Sequence, residues 1–305
     1  PLSGIVCERY GRRPGTILGE VSIILGSVIC ALAPSWAVLC LGRAMLGLGI
    51  GFCTLAKPLY VKETAEPSAV GPVLAAFAPS VAVGVMASRM VGGLPGWHWR
   101  GKALLGAAPA VVLLFVACSC MPESPAWQRR QHAAAAPGQK VDASSSSQHG
   151  VASRHLAILL ACGLGVANQG TGSYAFNVYG TVLFPMGPVG GLVTAAANVV
   201  GAVIVVPLMG YCPSRMLCVV GLLGMTACAT AAAVLVASIG GSPSPLLVAL
   251  VSAWSLLYQI GPGGGYFAQI VEISGDDLRP LTIAVGNSVR FACEFLASLL
   301  LIGAS

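Results

Sequence analysis

Apolar runs long enough to cross a membrane recur along the whole of this 305-residue chain. A helix of about 20 apolar residues spans the roughly 30 Å hydrocarbon core of a bilayer. Nine such runs cover approximately residues 14–33, 36–60, 70–92, 102–121, 156–184, 188–209, 215–238, 245–271 and 280–303. Only 9% of the residues are charged, which is too little to cover the surface of a soluble protein. The sequence therefore predicts an all-α polytopic membrane protein, and it lacks the alternation typical of an outer-membrane barrel.

Several function classes are excluded by the same composition. The basic residues that give the net charge of +6 separate the apolar runs and form no basic patch, so we expect no nucleic-acid partner. The eleven cysteines are scattered through apolar segments without zinc-site spacing, so we expect neither a metal nor a cofactor. The four histidines accompany no catalytic or phosphate-binding pattern, so we do not expect an enzyme.

A Ser-rich, low-complexity stretch divides the apolar runs into two groups. It predicts a flexible linker at 128–154 between a partial N-terminal helix bundle at 1–127 and a partial C-terminal bundle at 155–305.

Ten basic residues fall in loops on one side of the membrane and two on the other. Because basic loops stay in the cytoplasm, we expect the residue-1 end and the linker to be cytoplasmic. The ten are Arg9, Arg12, Arg13, Lys62, Arg129, Arg130, Lys140, Arg154, Arg215 and Arg279, and the two are Arg100 and Lys102.

Six motifs in order carry a resemblance to a known family. The opening GIVCERYGRR fits the pattern G-x-x-x-[DE]-R-x-G-R-R. It resembles the cytoplasmic loop between the second and third helices of the major facilitator superfamily. The later motifs are similar to those of its sugar porters, in particular the animal-type facilitative glucose transporters. They are GRAMLGLGIG with PLYVKETAEP, MPESPAW, NQGTGSYAFNVYGTVLF, GPGGGYFAQIVEI and DDLRPLTIAVG.

The resemblance implies a major facilitator fold of twelve helices. The nine runs match the third to the eleventh, so we expect the chain to be incomplete at both ends. The implied function is transmembrane transport of a hexose or similar sugar or polyol by alternating access. No cofactor is implied, the plasma membrane is favoured over an organelle, and nothing indicates the oligomeric state. Departures from the family pattern leave two alternatives open: a non-transporting membrane sensor or regulator on the same fold, and a truncated, non-functional carrier.

The resemblance also implies a cytoplasmic gate. In the family, loop charges pair across the cytoplasmic face and hold the two bundles together in the outward-open state. The corresponding residues here are Glu8, Arg9, Arg12, Arg13, Arg43, Glu63, Glu123, Arg215, Glu272 and Arg279.

Substrate-binding positions are implied in the same way. They fall on Asn168, Gln169, Tyr179, Asn198, Phe267, Arg290 and Glu294. Amide and aromatic side chains suit a solute with hydroxyls and apolar faces. Arg290 and Glu294 depart from the family pattern. They lie four residues apart and share a helix face, so they either pair with each other or line a cavity for a polar or charged solute. We expect Lys57, near the end of its run, to extend toward the cytoplasmic face.

Overall fold

Every regular element in the described part of the chain is a helix. A computed structural model describes residues 2–92, 96, 98–135, 151–171, 173, 187–239, 244–273 and 278–304. The α-helices are α1 (Leu2–Tyr10), α2 (Arg12–Leu32), α3 (Trp36–Thr64), α4 (Val70–Ala75), α5 (Phe77–Gly92), α6 (Trp99–Leu105), α7 (Ala107–Ser119), α8 (Pro125–Ala135), α9 (Val151–Gln169), α10 (Gly187–Tyr211), α11 (Ser214–Ile239), α12 (Pro245–Tyr258), α13 (Gly264–Ile273) and α14 (Arg279–Ala304). A π-helical turn, Gln259–Gly263, joins α12 to α13.

Among the described residues, eight helical segments are long and apolar enough to cross a membrane. They confirm eight of the nine predicted runs. The segments are Arg12–Leu32, Trp36–Thr64, Val70–Ser88, Trp99–Ser119, Val189–Tyr211, Ser214–Ser238, Pro245–Ile273 and Arg279–Leu300. The fifth run, 156–184, begins as the shorter apolar helix His155–Gln169, and most of its second half lies outside the described residues.

Prolines explain why two of these segments are interrupted. A proline lacks the N–H that bonds to the carbonyl four residues earlier, and its ring crowds that carbonyl. Pro79 lies four residues after Ala75, where α4 ends, and Pro109 lies four residues after Leu105, where α6 ends. In each case the helix resumes within two residues, so the two helices still form one segment long and apolar enough to cross a bilayer.

The described contacts form two compact units. The first contains Pro1–Ala65, Val91–Leu156 and Gly275–Asn287, and the second contains Glu66–Met90, Ala157–Ser274 and Ser288–Ser305. Each unit therefore takes segments from both sides of the predicted linker. Helix α8 also extends into the stretch predicted as linker, and α9 begins within it, whereas 136–150 lie outside the described residues. The bundle boundaries at 127 and 155 stay a prediction.

In the first unit, α2 packs closely against α3 through glycine. A Cβ on Gly26 would lie 2.9 Å from the carbonyl oxygen of Gly42, and one on Gly49 would lie 2.7 Å from that of Gly19. Small residues allow helix backbones to approach this closely in lipid, where packing rather than water drives association. Helix α2 also contacts α1, α6 and α7, so it is the central helix of this unit.

A buried amide in the same unit satisfies a carbonyl that a proline has freed. Pro58 lies inside α3 and has no N–H to donate to the carbonyl of Thr54, four residues earlier. The Asn287 side chain donates to that oxygen at 3.3 Å. An unsatisfied backbone group in hydrocarbon costs several kcal/mol, so Asn287 compensates for the proline.

In the second unit, α12 lies against α10 and α11, and α4 lies against α10 and α13. The π-helical turn leaves helical geometry at Gly261, whose φ and ψ are −97° and −107°. A Cβ on Gly221 of α11 would lie 2.6 Å from the Cα of Gly261, so the turn fits only against glycine. This break in a membrane-spanning segment positions the polar groups described below.

The compensation at Pro58 predicts a coupled effect on stability. Asn287→Ala leaves a buried carbonyl unsatisfied, and we expect it to lower the free energy of unfolding by about 1–3 kcal/mol. Pro58→Ala supplies the missing N–H, so in that background Asn287→Ala costs much less. Thermal unfolding of the four proteins in detergent, followed by circular dichroism, measures this coupling. An equal loss in both backgrounds would show that Asn287 does not serve this carbonyl.

Candidate functional site

The first polar site is a cluster of charges where α1, α2, α3 and α8 meet. The Arg12 guanidinium is paired with the Glu63 carboxylate through two hydrogen bonds, Nε to Oε2 at 2.9 Å and Nη2 to Oε1 at 2.7 Å. Its Nη1 donates to the carbonyl oxygen of Cys7 at 2.7 Å. The side chains of Arg12 and Glu63 are only 1% and 6% exposed. Two-point pairing with a third bond to the backbone compensates for the burial of both charges.

A second carboxylate binds the N-terminus of α2. Glu123 accepts hydrogen bonds from the backbone N–H groups of Arg12 at 2.8 Å and Arg13 at 3.1 Å. Negative charge is favourable at this end of a helix, where N–H groups lack helical partners. The residue before the helix is Gly11, with φ of 109°, and a Cβ there would collide with the Glu123 carboxylate. Both the left-handed backbone and the close carboxylate therefore require glycine.

The MPESPAW stretch connects the end of α7 to this cluster. Ser124 accepts from the N–H of Trp127 at 3.2 Å and so caps α8, in which Pro125 is the first residue. The Ser124 hydroxyl also donates to Glu63 at 2.6 Å. The Trp127 indole donates to the carbonyl oxygen of Glu8 at 2.8 Å, at the end of α1. Ser124 thus joins α8 to α3 and caps the first turn of α8, and Trp127 joins α8 to α1.

The structure brings four of the predicted gate residues into one cluster: Arg12, Arg13, Glu63 and Glu123. Arg13 joins through its side chain, which donates to the carbonyl oxygens of Ala117 at 3.2 Å and Cys118 at 2.6 Å, near the end of α7. Arg130, which we did not predict for the gate, also pairs with Glu63 and is half exposed.

The other predicted gate residues lie outside this set of ion pairs. Glu8 takes part through its backbone carbonyl, and exposed Arg9 has its guanidinium carbon 5.6 Å from the ring centroid of Tyr10. Arg43 lies on α3, 20 residues before Glu63, which is about 30 Å along a helix. The structure therefore separates Arg43 from the charge cluster.

Two predicted gate residues belong to the second unit, and a third starts α14. Glu272 near the end of α13 accepts from the Ser214 hydroxyl at 2.8 Å, at the start of α11. Gln269 reinforces this connection by donating to the backbone carbonyl of Ser214 at 2.9 Å. Arg215 is exposed beside it, and Arg279 is the first residue of α14.

A buried cysteine lies beside the charge cluster. Cys7 on α1 is fully buried, and its carbonyl accepts from Arg12. Burial raises the pKa of the Cys7 thiol to about 12. The thiol is therefore protonated and inert at neutral pH as long as the cluster stays closed.

A second ion pair joins α2 to α3 inside the membrane-spanning segments. Lys57 Nζ lies 2.7 Å from Glu20 Oε1, and the Glu20 side chain is 1% exposed. Cys53 donates to the same carboxylate oxygen at 3.5 Å. The expectation that Lys57 extends to the membrane surface is therefore wrong, because a carboxylate on the neighbouring helix gives it a partner within the span.

Two of the predicted solute residues, Asn168 and Asn198, contact the π-helical turn of the second unit. Gln259 Nε2 donates to Asn198 Oδ1 at 2.8 Å, which joins the turn to α10. Asn168 on α9 donates to the carbonyl oxygen of Pro262 at 2.6 Å. Gln169 accepts from the Ser173 hydroxyl at 2.8 Å. The side chains of Asn168, Gln169 and Asn198 are thus buried, and those of Asn168 and Asn198 contact the turn.

Aromatic rings and one cation adjoin the same turn. The Phe267 ring meets those of Phe77 and Tyr266 edge to face, at centroid distances of 4.7 and 5.2 Å. The Arg290 guanidinium carbon lies 5.2 Å from the Tyr266 ring centroid. Within the described chain no ion pair joins Arg290 to Glu294, so the pairing that the sequence left open is not formed. Tyr179 lies outside the described residues.

Sequence reasoning missed Gln259, Tyr266 and Asn287. The signal for Gln259 and Tyr266 is their position, because they flank the Gly/Pro-rich GPGGG that breaks the helix. The signal for Asn287 is weaker: it is a buried amide on α14 whose partner carbonyl lies 233 residues away in sequence.

Comparison with known proteins identifies the family. The model of the family described as "Sugar (and other) transporter" matches residues 2–302. The chain belongs to the sugar transporter family. The chain is 34% identical over 132 residues to the proton myo-inositol cotransporter hmit-1.2 of Caenorhabditis elegans, covering 41% of this chain and 21% of the relative. It is 37% identical over 128 residues to sugar carrier protein A of Ricinus communis, covering 41% of this chain and 24% of that protein.

Solved structures show the same fold. The chain aligns over 98% of its length with 74% of the proton:xylose symporter XylE bound to 6-bromo-6-deoxy-D-glucose, with a TM-score of 0.80 and 17% identity. An inward-open form of XylE from E. coli aligns over 97% of this chain and 74% of its own, with a TM-score of 0.72 and 18% identity. The chain is therefore a multi-pass membrane protein of the major facilitator fold. Its alignments span about a fifth to a quarter of the curated relatives named above.

The charge cluster predicts unequal effects for two arginines that contact the same carboxylate. Arg12→Met leaves buried Glu63 without its main partner, and we expect a loss of about 3–5 kcal/mol in the free energy of unfolding. Arg130→Gln removes a half-exposed pair and costs less than about 1 kcal/mol. Thermal unfolding in detergent measures both. Cys7 alkylation by iodoacetamide, read residue by residue by mass spectrometry, gives an independent readout, because only Arg12→Met opens the cluster. Equal losses for the two variants would contradict this account.

Proposed function

We propose that this chain carries a sugar or polyol across a membrane by alternating access. The observation that carries the proposal is the set of buried amides at the broken helix: Asn168, Asn198 and Gln259 around the turn Gln259–Gly263. A broken membrane helix exposes backbone polar groups where transporters bind their solutes.

The chemistry of the amides supports a hydroxylated solute. A carboxamide both donates and accepts hydrogen bonds, as a hydroxyl does, so several amides on different helices match a ring of hydroxyls. The Oδ1 atom of Asn168 is buried and has no hydrogen-bond partner in the described structure, so it is available to a solute hydroxyl. The aromatic rings of Tyr266 and Phe267 supply apolar faces beside the amides.

We assign the charge cluster of the first unit to a cytoplasmic gate. Its four ion-pairing and helix-capping residues, Arg12, Arg13, Glu63 and Glu123, connect α2 to α3, α7 and the segment before α8. A set of discrete charged contacts forms or breaks as a group, which suits a two-state element. The positive-inside distribution favours the cytoplasmic side for this cluster, and the plasma membrane is the proposed location.

The names of the relatives suggest which solutes to try first. Two relatives are named for myo-inositol and for sugars, and the structural neighbour is named for xylose. Uptake of radiolabelled D-xylose, D-glucose and myo-inositol into proteoliposomes that contain the purified chain tests the proposal. We expect saturable uptake of at least one, inhibited by the unlabelled solute. Saturable binding without uptake would indicate the sensor alternative instead, and neither binding nor uptake by folded protein would overturn the proposed function.

The proposed site predicts a specific loss from one amide. Gln169→Ala removes a buried amide, and because one hydrogen bond contributes about 1–1.5 kcal/mol, we expect solute affinity to fall about tenfold. Gln128→Ala is the matched control, because it makes the same change at an exposed position on α8. Solute-concentration dependence of uptake measures both variants. Equal kinetics in the two variants would move the site away from Gln169.

A further inference from the structure

One cation lies inside a membrane-spanning helix with no acidic partner in contact. Arg290 is 11 residues into α14, about 16 Å from its start, so it lies near the middle of the span Arg279–Leu300. Among the described residues no carboxylate lies within 4.0 Å of its guanidinium. A charge at this depth is costly unless another group compensates for it.

The surroundings of Arg290 orient its guanidinium, and the nearby acid Glu294 interacts with it electrostatically without an ion pair within 4.0 Å. Its guanidinium carbon lies 5.2 Å from the ring centroid of Tyr266 and 5.5 Å from that of Phe291. Aromatic faces orient a guanidinium and attract it, yet they carry no net charge. Glu294, one helical turn further on, is the available acid, and both side chains interact electrostatically with Tyr258. Arg290 and Glu294 therefore interact at a distance, and the Nε donor of Arg290 stays without a hydrogen-bond partner in the described structure.

Asn168 and Arg290 both interact with Tyr258, and Arg290 lies over the Tyr266 ring, so we take their unfilled hydrogen-bonding groups together as a guide to the ligand. Two buried donors have no partner in the described structure, Nε of Arg290 and the hydroxyl of Tyr266, and one buried acceptor has none, Oδ1 of Asn168. An anionic oxygen satisfies the two donors, and a guanidinium binds a carboxylate with two parallel hydrogen bonds. A hydroxyl on the same molecule satisfies Asn168.

We propose that the solute of this carrier is a hydroxylated carboxylic acid, such as a sugar acid, and that Arg290 binds its carboxylate. This proposal rests on the proposed function, because it names the substrate class of the same site. A neutral sugar offers only uncharged oxygens to the two unpartnered donors, whereas a carboxylate oxygen makes the stronger, charge-assisted hydrogen bond. A phosphate ester supplies two negative charges, and Glu294 beside a single arginine disfavours the second. A singly charged carboxylate fits both observations.

Equilibrium binding of matched solutes tests the proposal. The probes are sodium D-glucuronate, D-glucose and D-glucose 6-phosphate, titrated at constant ionic strength into the purified chain in lipid nanodiscs. The wild type should bind glucuronate about tenfold or more tightly than glucose, since hydrogen bonds to charged groups are the stronger ones. Glucose 6-phosphate should bind more weakly than glucuronate.

Three variants assign the preference to the arginine. Arg290→Gln should bring the ratio of the two affinities close to one, whereas Arg290→Lys keeps the charge and should retain part of the preference. Glu294→Gln removes the nearby negative charge and should tighten glucuronate binding. Arg129→Gln makes the same change at an exposed position on α8, and the ratio should stay at its wild-type value. Gel filtration and circular dichroism confirm that each variant is folded.

The outcomes separate this proposal from the proposed function. If glucose binds as tightly as glucuronate, or if Arg290→Gln and Arg290→Lys both leave the ratio unchanged, the acid proposal is wrong and transport of a neutral sugar stands. If glucose 6-phosphate binds most tightly, the charged group is a phosphate and the carboxylate assignment is overturned. If no probe and no myo-inositol binds to folded protein, both proposals fail.

Discussion

The buried ion pair between Arg12 and Glu63 is the interaction on which the first unit depends. It joins α2 to α3 at one end, and the pair Glu20–Lys57 joins the same helices again within the span, with the charges in the opposite order. Two pairs of opposite polarity fix the register of two antiparallel helices, because a shift would bring like charges together. The glycines between α2 and α3 then allow the backbones to approach, so electrostatic register and close packing support each other.

Backbone groups released by proline and by the helix break are the second constraint. In hydrocarbon no water is present to bond to a free carbonyl, so side chains must do so. Asn287 serves Thr54 in the first unit, and Asn168 serves Pro262 in the second. The same irregular backbone that needs such support also creates polar surface inside a span. The second unit has the larger irregularity, and its amides and aromatic rings gather there. The solute site that we propose at the turn rests on this need for compensation.

The sequence predicts the spans well because length and apolarity alone determine what can cross a bilayer. The family resemblance also points to Arg12, Arg13, Glu63 and Glu123, which the structure places in one cluster, while their role in a gate stays a prediction. The sequence predicts individual pairings poorly. Lys57 was expected at the membrane surface, and its partner Glu20 lies 37 residues away on another helix. Gln259 and Asn287 were missed because their roles depend on a helix break and on a proline far away in sequence. Arg43 was grouped with the gate by resemblance, although its place on α3 separates it from Glu63.

The central claim is that the polar groups at the turn Gln259–Gly263 bind the solute. Hydrogen–deuterium exchange tests this most directly, because amides at a broken helix exchange faster than those of an intact one. The measurement compares the chain in nanodiscs with and without saturating D-xylose, myo-inositol or D-glucuronate. The account predicts that at least one solute slows exchange in peptides covering 258–268 and 166–171, while peptides covering 36–56 of α3 are unaffected. Protection confined to the first unit, or no protection by any of the three, would contradict it.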